Sequence, residues 1–317
     1  MRYLASLLAC TVLWLGMAQA ESMGPPVPDY PADRLADNLY VIHGPLTPPN
    51  ADNQGFMNNP AFVMTSEGVV IVDPGGTVQS GEMVLRVLKS LTDKPVVAVF
   101  NTHVHGDHWL GNQAIRAAYP DVAIYAHPNT IRRIRDGAGE QWVEMMDNLT
   151  HGKSRGTRVV PANVEIGHGD SITIGDTRFD VQHYATAHTD TDIMIAVNGN
   201  QALFMGDNLV NGRLARTTEG NLQGLIEACQ KAIEIEPAII IPGHGRSGGM
   251  DMYERVTRFF DILYATVREQ YLEGVSDFEM KPVIVEALAD YADWEEFDIN
   301  IGRTINQAYL EIEAAEF

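Results

Sequence analysis

The segment F-N-T-H-V-H-G-D-H-W-L-G-N at residues 100–112 constrains this chain more than any other part of it. Four metal-competent side chains, His103, His105, Asp107 and His108, fall within six residues directly after the apolar run V-V-A-V-F. The segment is therefore built to hold a metal ion. Imidazole together with carboxylate favours zinc, manganese or iron over calcium or magnesium. His103 and His105 stand two apart at a strand end and can face the same side. Asp107 and His108 follow a turn at Gly106 and lead into a helix, so two adjacent metal sites become possible.

Each site needs ligands from elsewhere, and three candidates repeat the pattern of a chemical side chain just past an apolar strand. His188 follows residues 178–183 in Y-A-T-A-H-T-D, Asp207 ends A-L-F-M-G-D, and His244 ends I-I-I-P-G-H-G. His183 is a near rival for His188, but it falls inside an alternating strand pattern. His43, His127, His151 and His168 have no partner in any motif and read as ordinary surface or hydrogen-bonded histidines. Cys229 lies on a predicted helix as a small core residue. Trp294-Glu295-Glu296 and the acids around them read as a solvated face.

Apolar runs bounded by turn residues predict strands at 39–43, 61–65, 69–73, 96–100, 122–125, 172–174, 178–183, 193–197, 202–205 and 238–241. Helix-period segments fall between them at 82–91, 110–118, 141–149 and 222–233. This interleaving implies a layered α/β domain with mixed sheets, because pairs such as 61–65 and 69–73 look like hairpins. Residues 45–60, rich in Pro, Asn and Gly, read as a long loop of the kind that covers a substrate. From 250 to 317 the pattern becomes helical and acidic, as expected of an extension packed on the main domain.

Residues 1–20 carry a basic start at Arg2, an apolar stretch and the ending Ala18-Gln19-Ala20, the anatomy of a secretory signal peptide. Cleavage near Ala20 implies an exported, periplasmic or secreted chain beginning at Glu21, with the metal domain at 21–249. No later stretch is apolar enough to insert in a membrane. The formal net charge is −20, and loss of Arg2 makes it more negative still. Such a surface repels nucleic acid and anionic lipid. The partner expected is a small-molecule substrate, and the sequence does not fix an oligomeric state. Only Cys229 remains after cleavage, so no internal disulfide supports the fold.

The order V-D-P-G (Asp73), H-V-H-G-D-H, a lone His188, F-M-G-D and P-G-H-G resembles the metallo-β-lactamase superfamily across about residues 35–247. The resemblance implies a four-layer αβ/βα sandwich with the site at the edge of the two sheets. It implies that His103, His105 and His188 bind one metal, that Asp107, His108 and His244 bind a second, and that Asp207 bridges them. Asp73 would stand beside the site as a ligand-supporting residue, and Asp190, Asp192 or backbone carbonyls could likewise orient a ligand histidine. The implied cofactor is two Zn2+ per chain, with Fe or Mn as alternatives. The implied reaction is hydrolysis of an ester-, thioester-, lactone- or lactam-like bond by a hydroxide that the metals share, with Asp107 and Asp207 as its carboxylates.

Several residues bear on the branch. In the best-known lactamases an Asp, a Cys and a His hold the second metal and a lysine follows the Cys; here Asp207 and Val210 stand at those positions. Glutathione-thioester hydrolases share the ligands but read G-H-E and carry a basic helical domain, whereas this chain has G-H-G-R and an acidic tail. The stretch from Asn59 through the histidine motif is similar to periplasmic members found with quinoprotein and sulfur-oxidation systems. Alternatives are a true β-lactamase, a single-iron oxidoreductase similar to persulfide dioxygenases, and a noncatalytic metal-binding protein. Arg213, Arg216 and Arg246 follow ligand-bearing strand ends and are candidates to meet a substrate anion.

Overall fold

A computed structural model describes residues 23–199, 201–214 and 216–316. The leader read at residues 1–20 lies outside them. Two sheets stack face to face. The first has the order β1-β2-β3-β4-β5-β6-β7, built from Ala32–Ala36, Leu39–Ile42, Ala61–Met64, Val69–Val72, Val96–Phe100, Ala123–Ala126 and Val164–Glu165. The second has the order β12-β11-β10-β9-β8, where β8 is Ser171–Ile174, β9 Thr177–Gln182, β10 Met194–Val197, β11 Ala202–Val210 and β12 Ile239–His244.

Strands β1 to β4 pair antiparallel, including the expected β3–β4 hairpin, while β4 to β7 run parallel. In the second sheet β11 and β12 are parallel. Every residue of β4 is buried because the strand is covered on both faces. Its period of two divides the core: Val70 and Val72 meet the second sheet's Phe179, Ile195 and Phe204, whereas Val69 and Ile71 face the helices α1 (Val78–Leu91) and α3 (Asn112–Ala118) through Val84, Leu88 and Ile115. Between these helices lies the short α2, Gly106–Trp109.

After β6 come α4 (Pro128–Arg133), one π-turn at Ile134–Ala138, and α5 (Gly139–Leu149). The outer face of the second sheet is covered by α6 (Leu222–Ala232), α7 (Met250–Leu272), α8 (Asp277–Ala287) and α9 (Phe297–Glu316). Leu203, Met205 and Ile240 share one cluster with Phe259, Leu263, Ile284 and Ile305. The result is the four-layer αβ/βα arrangement expected from the sequence.

Three local readings change. Trp294 is buried and stacks on Phe259, with ring centroids 5.2 Å apart, and Glu296 forms a buried ion pair with Arg213 at 3.0 Å. Trp294 and Glu296 therefore belong to the seam between the helices and the loop after β11, whereas Asp293 and Glu295 remain exposed as expected. Arg213 consequently faces Glu296, and Arg246 pairs with Asp33 at 2.6 Å. Residues 53–60 are buried, and the Asn59 side chain donates to the carbonyls of Pro242 and Gly245 at 2.8 and 2.7 Å. This half of the 45–60 loop underlies the β12 end and does not act as a lid.

Candidate metal centre

Strand ends bring the chemical residues to one edge of the sandwich. His103 and His105 leave β5, Asp107 and His108 sit on α2, His188 follows β9, Asp207 lies in β11 and His244 is the last residue of β12. Asp207 does not end its strand as expected. Register shifts on either side of Gly206 let β11 continue to Val210 while re-aiming the aspartate. Close approach elsewhere demands glycine. A Cβ at Gly243 would lie 2.0 Å from Asp207 Oδ1, and one at Gly106 would lie 2.8 Å from the Trp142 side chain.

The side chains form two adjoining groups. One ligand atom from each of His103, His105, His188 and Asp207 lies within 4.8 Å of the others, and the same holds for Asp107, His108 and His244. Asp207 spans both. Its Oδ1 stands 3.2 and 3.3 Å from Nε2 of His108 and His244, whereas its Oδ2 stands 3.6 and 4.0 Å from Nε2 of His188 and His103.

Outer partners fix which nitrogen faces inward in four of the five rings; His188 Nδ1 has none among the described residues. His108 Nδ1 donates to Asp73 Oδ2 at 2.8 Å, and His244 Nδ1 donates to the Met57 carbonyl at 2.8 Å. Thr102 donates its hydroxyl to Asp73 Oδ2 at 2.7 Å and so accepts from His103 Nδ1 at 3.0 Å. His105 turns the opposite way, with Nε2 3.3 Å from Glu219 Oε1 and Nδ1 inward. Asp73 stands where the sequence placed it. Asp190 and Asp192 do not take the orienting role: Asp190 accepts from Arg133, and Asp192 accepts from Thr189. Thr102, the Met57 carbonyl and Glu219 are the groups that stand against the outer nitrogens of His103, His244 and His105. Thr102 was findable as the residue before His103; nothing in the local pattern marks the other two.

The donor set fits a bound cation. His108 Nε2 and His244 Nε2 face each other at 3.3 Å, as do His188 Nε2 and His105 Nδ1 at 3.0 Å. His108 and His244 donate outward through Nδ1, so in the neutral rings their facing Nε2 atoms are lone pair against lone pair. His103 Nε2 and Asp207 Oδ1 are buried with no hydrogen-bond partner. A positive ion in each group resolves both defects.

Charge follows the same division. Burial holds His103 well below the usual imidazole range and His188 down at about 3, which favours the neutral, ligating form. Burial would also lower His108, but Asp207, Asp107 and Asp73 outweigh it and raise that ring well above its usual value. His244 is raised likewise by Asp207 and Asp107 against its burial. Asp107 and Asp207 lie well below the carboxylate range despite burial, because His108 and His244 adjoin them. The centre thus concentrates negative charge that protons offset when no cation is held.

A family model described as the metallo-beta-lactamase superfamily matches residues 54–244. The chain belongs to that superfamily. Among curated relatives, it is similar to a hydroxyacylglutathione hydrolase of Gloeobacter violaceus, 32% identical over 51% of this chain and 54% of the relative. A protein of the same description from Thermosynechococcus vestitus is 28% identical over 63% of this chain and 60% of that one. The chain thus spans less than two thirds of the length of either. Among solved structures, a metallo-beta-lactamase from Pontibacter korlensis superposes with a TM-score of 0.58 at 17% identity, covering 73% of this chain and 98% of that one. That likeness establishes the superfamily fold.

Proposed function

We propose that this chain is an exported, dinuclear zinc hydrolase that cleaves an ester-like bond in a small molecule, with thioesters first among the candidates. The observation that carries the two-ion reading is the division of Asp207, one oxygen toward each group of facing imidazoles. The names of the two hydroxyacylglutathione hydrolases support the thioester preference. They weigh against the G-H-G-R sequence and acidic tail, which argue for a substrate other than a glutathione conjugate.

Two zinc ions held there would supply Lewis acidity to the substrate carbonyl and would acidify a water towards neutrality. The chain's own part is geometric and electrostatic. Asp107 Oδ2, 3.2 Å from His244 Nε2 and 3.4 Å from His108 Nε2, is placed to orient the attacking water and take its proton. Asp207 fixes the spacing of the two groups. Trp142 packs against His105, their rings 5.2 Å apart, and supports that ligand from the side of α5.

The test is metal analysis of the purified protein together with turnover of lactone, thioester, aryl ester, phosphodiester and β-lactam substrates. Two equivalents of zinc with thioester turnover is the expected result. Two equivalents with no turnover of any substrate would move the reading to a binding role, and a single iron would move it to the oxidoreductase alternative.

A further inference from the structure

We propose that Glu219, held in place by Arg133, is the positioning residue for His105 and sets how tightly the three-histidine half of the centre holds its ion. The inference rests on the reading of this cluster as a metal centre. His105 differs from the other four ligand histidines in two ways. Its side chain is 14% exposed, against 0–3% for His103, His108, His188 and His244. It also presents Nδ1 inward, toward His188 Nε2 at 3.0 Å.

A partly exposed imidazole can exchange tautomer or rotate, and either change removes the inward lone pair. An acceptor on the outer nitrogen prevents this. Glu219 Oε1 is that acceptor, and its other oxygen is occupied: Arg133 donates to Oε2 at 2.5 Å and to Asp190 Oδ1 at 2.6 Å. One guanidinium therefore ties together the end of α4, the segment after His188 and the loop after β11.

The opposite half needs no such device, because buried Asp73 and the Met57 carbonyl already hold His108 and His244. Arg133 and Glu219 are 29% and 46% exposed, so their pairing adds little to global stability. Its consequence should appear in metal affinity at one half and not in unfolding.

The experiment is zinc competition against a chromophoric chelator on the full protein, with 15N spectra of the histidine side chains. For Glu219→Ala, one zinc equivalent should weaken by roughly tenfold to a hundredfold while the other stays unchanged. Glu219→Gln, which retains an acceptor oxygen, should recover part of the loss. Arg133→Ala should weaken the same equivalent, with no further effect in the Glu219→Ala background. In the zinc-free wild type, His105 should carry its proton on Nε2. The proposal is overturned if Glu219→Ala binds both equivalents as the wild type does, if both weaken together, or if wild-type His105 is protonated at Nδ1. A wild type that binds no zinc would sink the metal reading itself, an outcome distinct from the other three.

Discussion

Replacing Asp73 by Asn tests whether one carboxylate governs ligands in both halves. Asp73 Oδ1 accepts the Thr102 backbone N–H at 2.8 Å, and Oδ2 accepts both the Thr102 hydroxyl at 2.7 Å and His108 Nδ1 at 2.8 Å. Asn keeps the size and the first acceptor but puts an amide N–H2 where Oδ2 stands. That group cannot accept from His108, whose ring proton must move to Nε2, the atom that faces His244 Nε2 and Asp207 Oδ1. The amide can instead donate to Thr102 Oγ1, and the hydroxyl proton is then free to turn toward His103 Nδ1, which drives the His103 proton inward as well. One substitution should thus mis-set one histidine in each half.

The magnitude follows from the bond lost. A buried hydrogen bond to a charged group is worth about 1.5–3 kcal/mol, which at 1.4 kcal/mol per decade is roughly a ten- to hundredfold loss. That agrees with the usual cost of removing an orienting partner from a metal-bound histidine. Chelator competition should show both zinc equivalents weakened by about this factor in Asp73→Asn. Thr102→Val, which removes only the relay to His103, should weaken the three-histidine equivalent alone. The reasoning is refuted if Asp73→Asn binds both equivalents within about threefold of the wild type, or if Thr102→Val weakens the Asp107/His108/His244 half.

Other perturbations address the scaffold. Glu296→Ala leaves Arg213 charged and buried without its partner, and should cost roughly 3–5 kcal/mol in urea unfolding, while the double change Arg213→Met with Glu296→Leu should recover most of it; a single variant as stable as the wild type would deny that this pair seals the helical layer. Burial, aided by Arg246 and opposed by Asp33, lowers His43 below 6.5, so the unfolded chain binds the extra proton and stability falls as pH drops below that value. His43→Gln should therefore flatten the acid-side slope of Tm against pH, and an unaltered slope would contradict the assignment. Cys229 is buried and its thiol is pushed up to about 12, so it should resist an aromatic disulfide reagent at pH 8 until denaturant is added; rapid labelling of the native protein would show that the helix α6 is not packed as described. N-terminal sequencing of the exported chain should begin at Glu21, and a retained leader would refute the proposed export.

What could be read from the sequence divides along a physical line. His103 and His188 follow apolar strands, Asp207 lies within β11 and His244 ends β12; strands of two stacked sheets deliver these positions to one edge, so local pattern was enough to bring those side chains together. The partners that orient them come from distant loops. Glu219 is 114 residues from His105, and the atom of Met57 that holds His244, 187 residues away, is a backbone carbonyl that no side-chain pattern can mark. The edge strand β1 was missed because A-D-R-L-A lacks an apolar alternation; half-exposed edge strands tolerate charge. Trp294 and Glu296 were misread for the converse reason, since polar neighbours suggest solvent until Phe259 and Arg213 arrive from elsewhere to bury them. The candidate ligands are thus specified by short-range sequence, whereas the ring orientations that would let them ligate are specified by contacts of long sequence separation. Substitutions at Glu219, Thr102 or Asp73 can therefore retune the centre while every residue of the H-V-H-G-D-H motif stays in place.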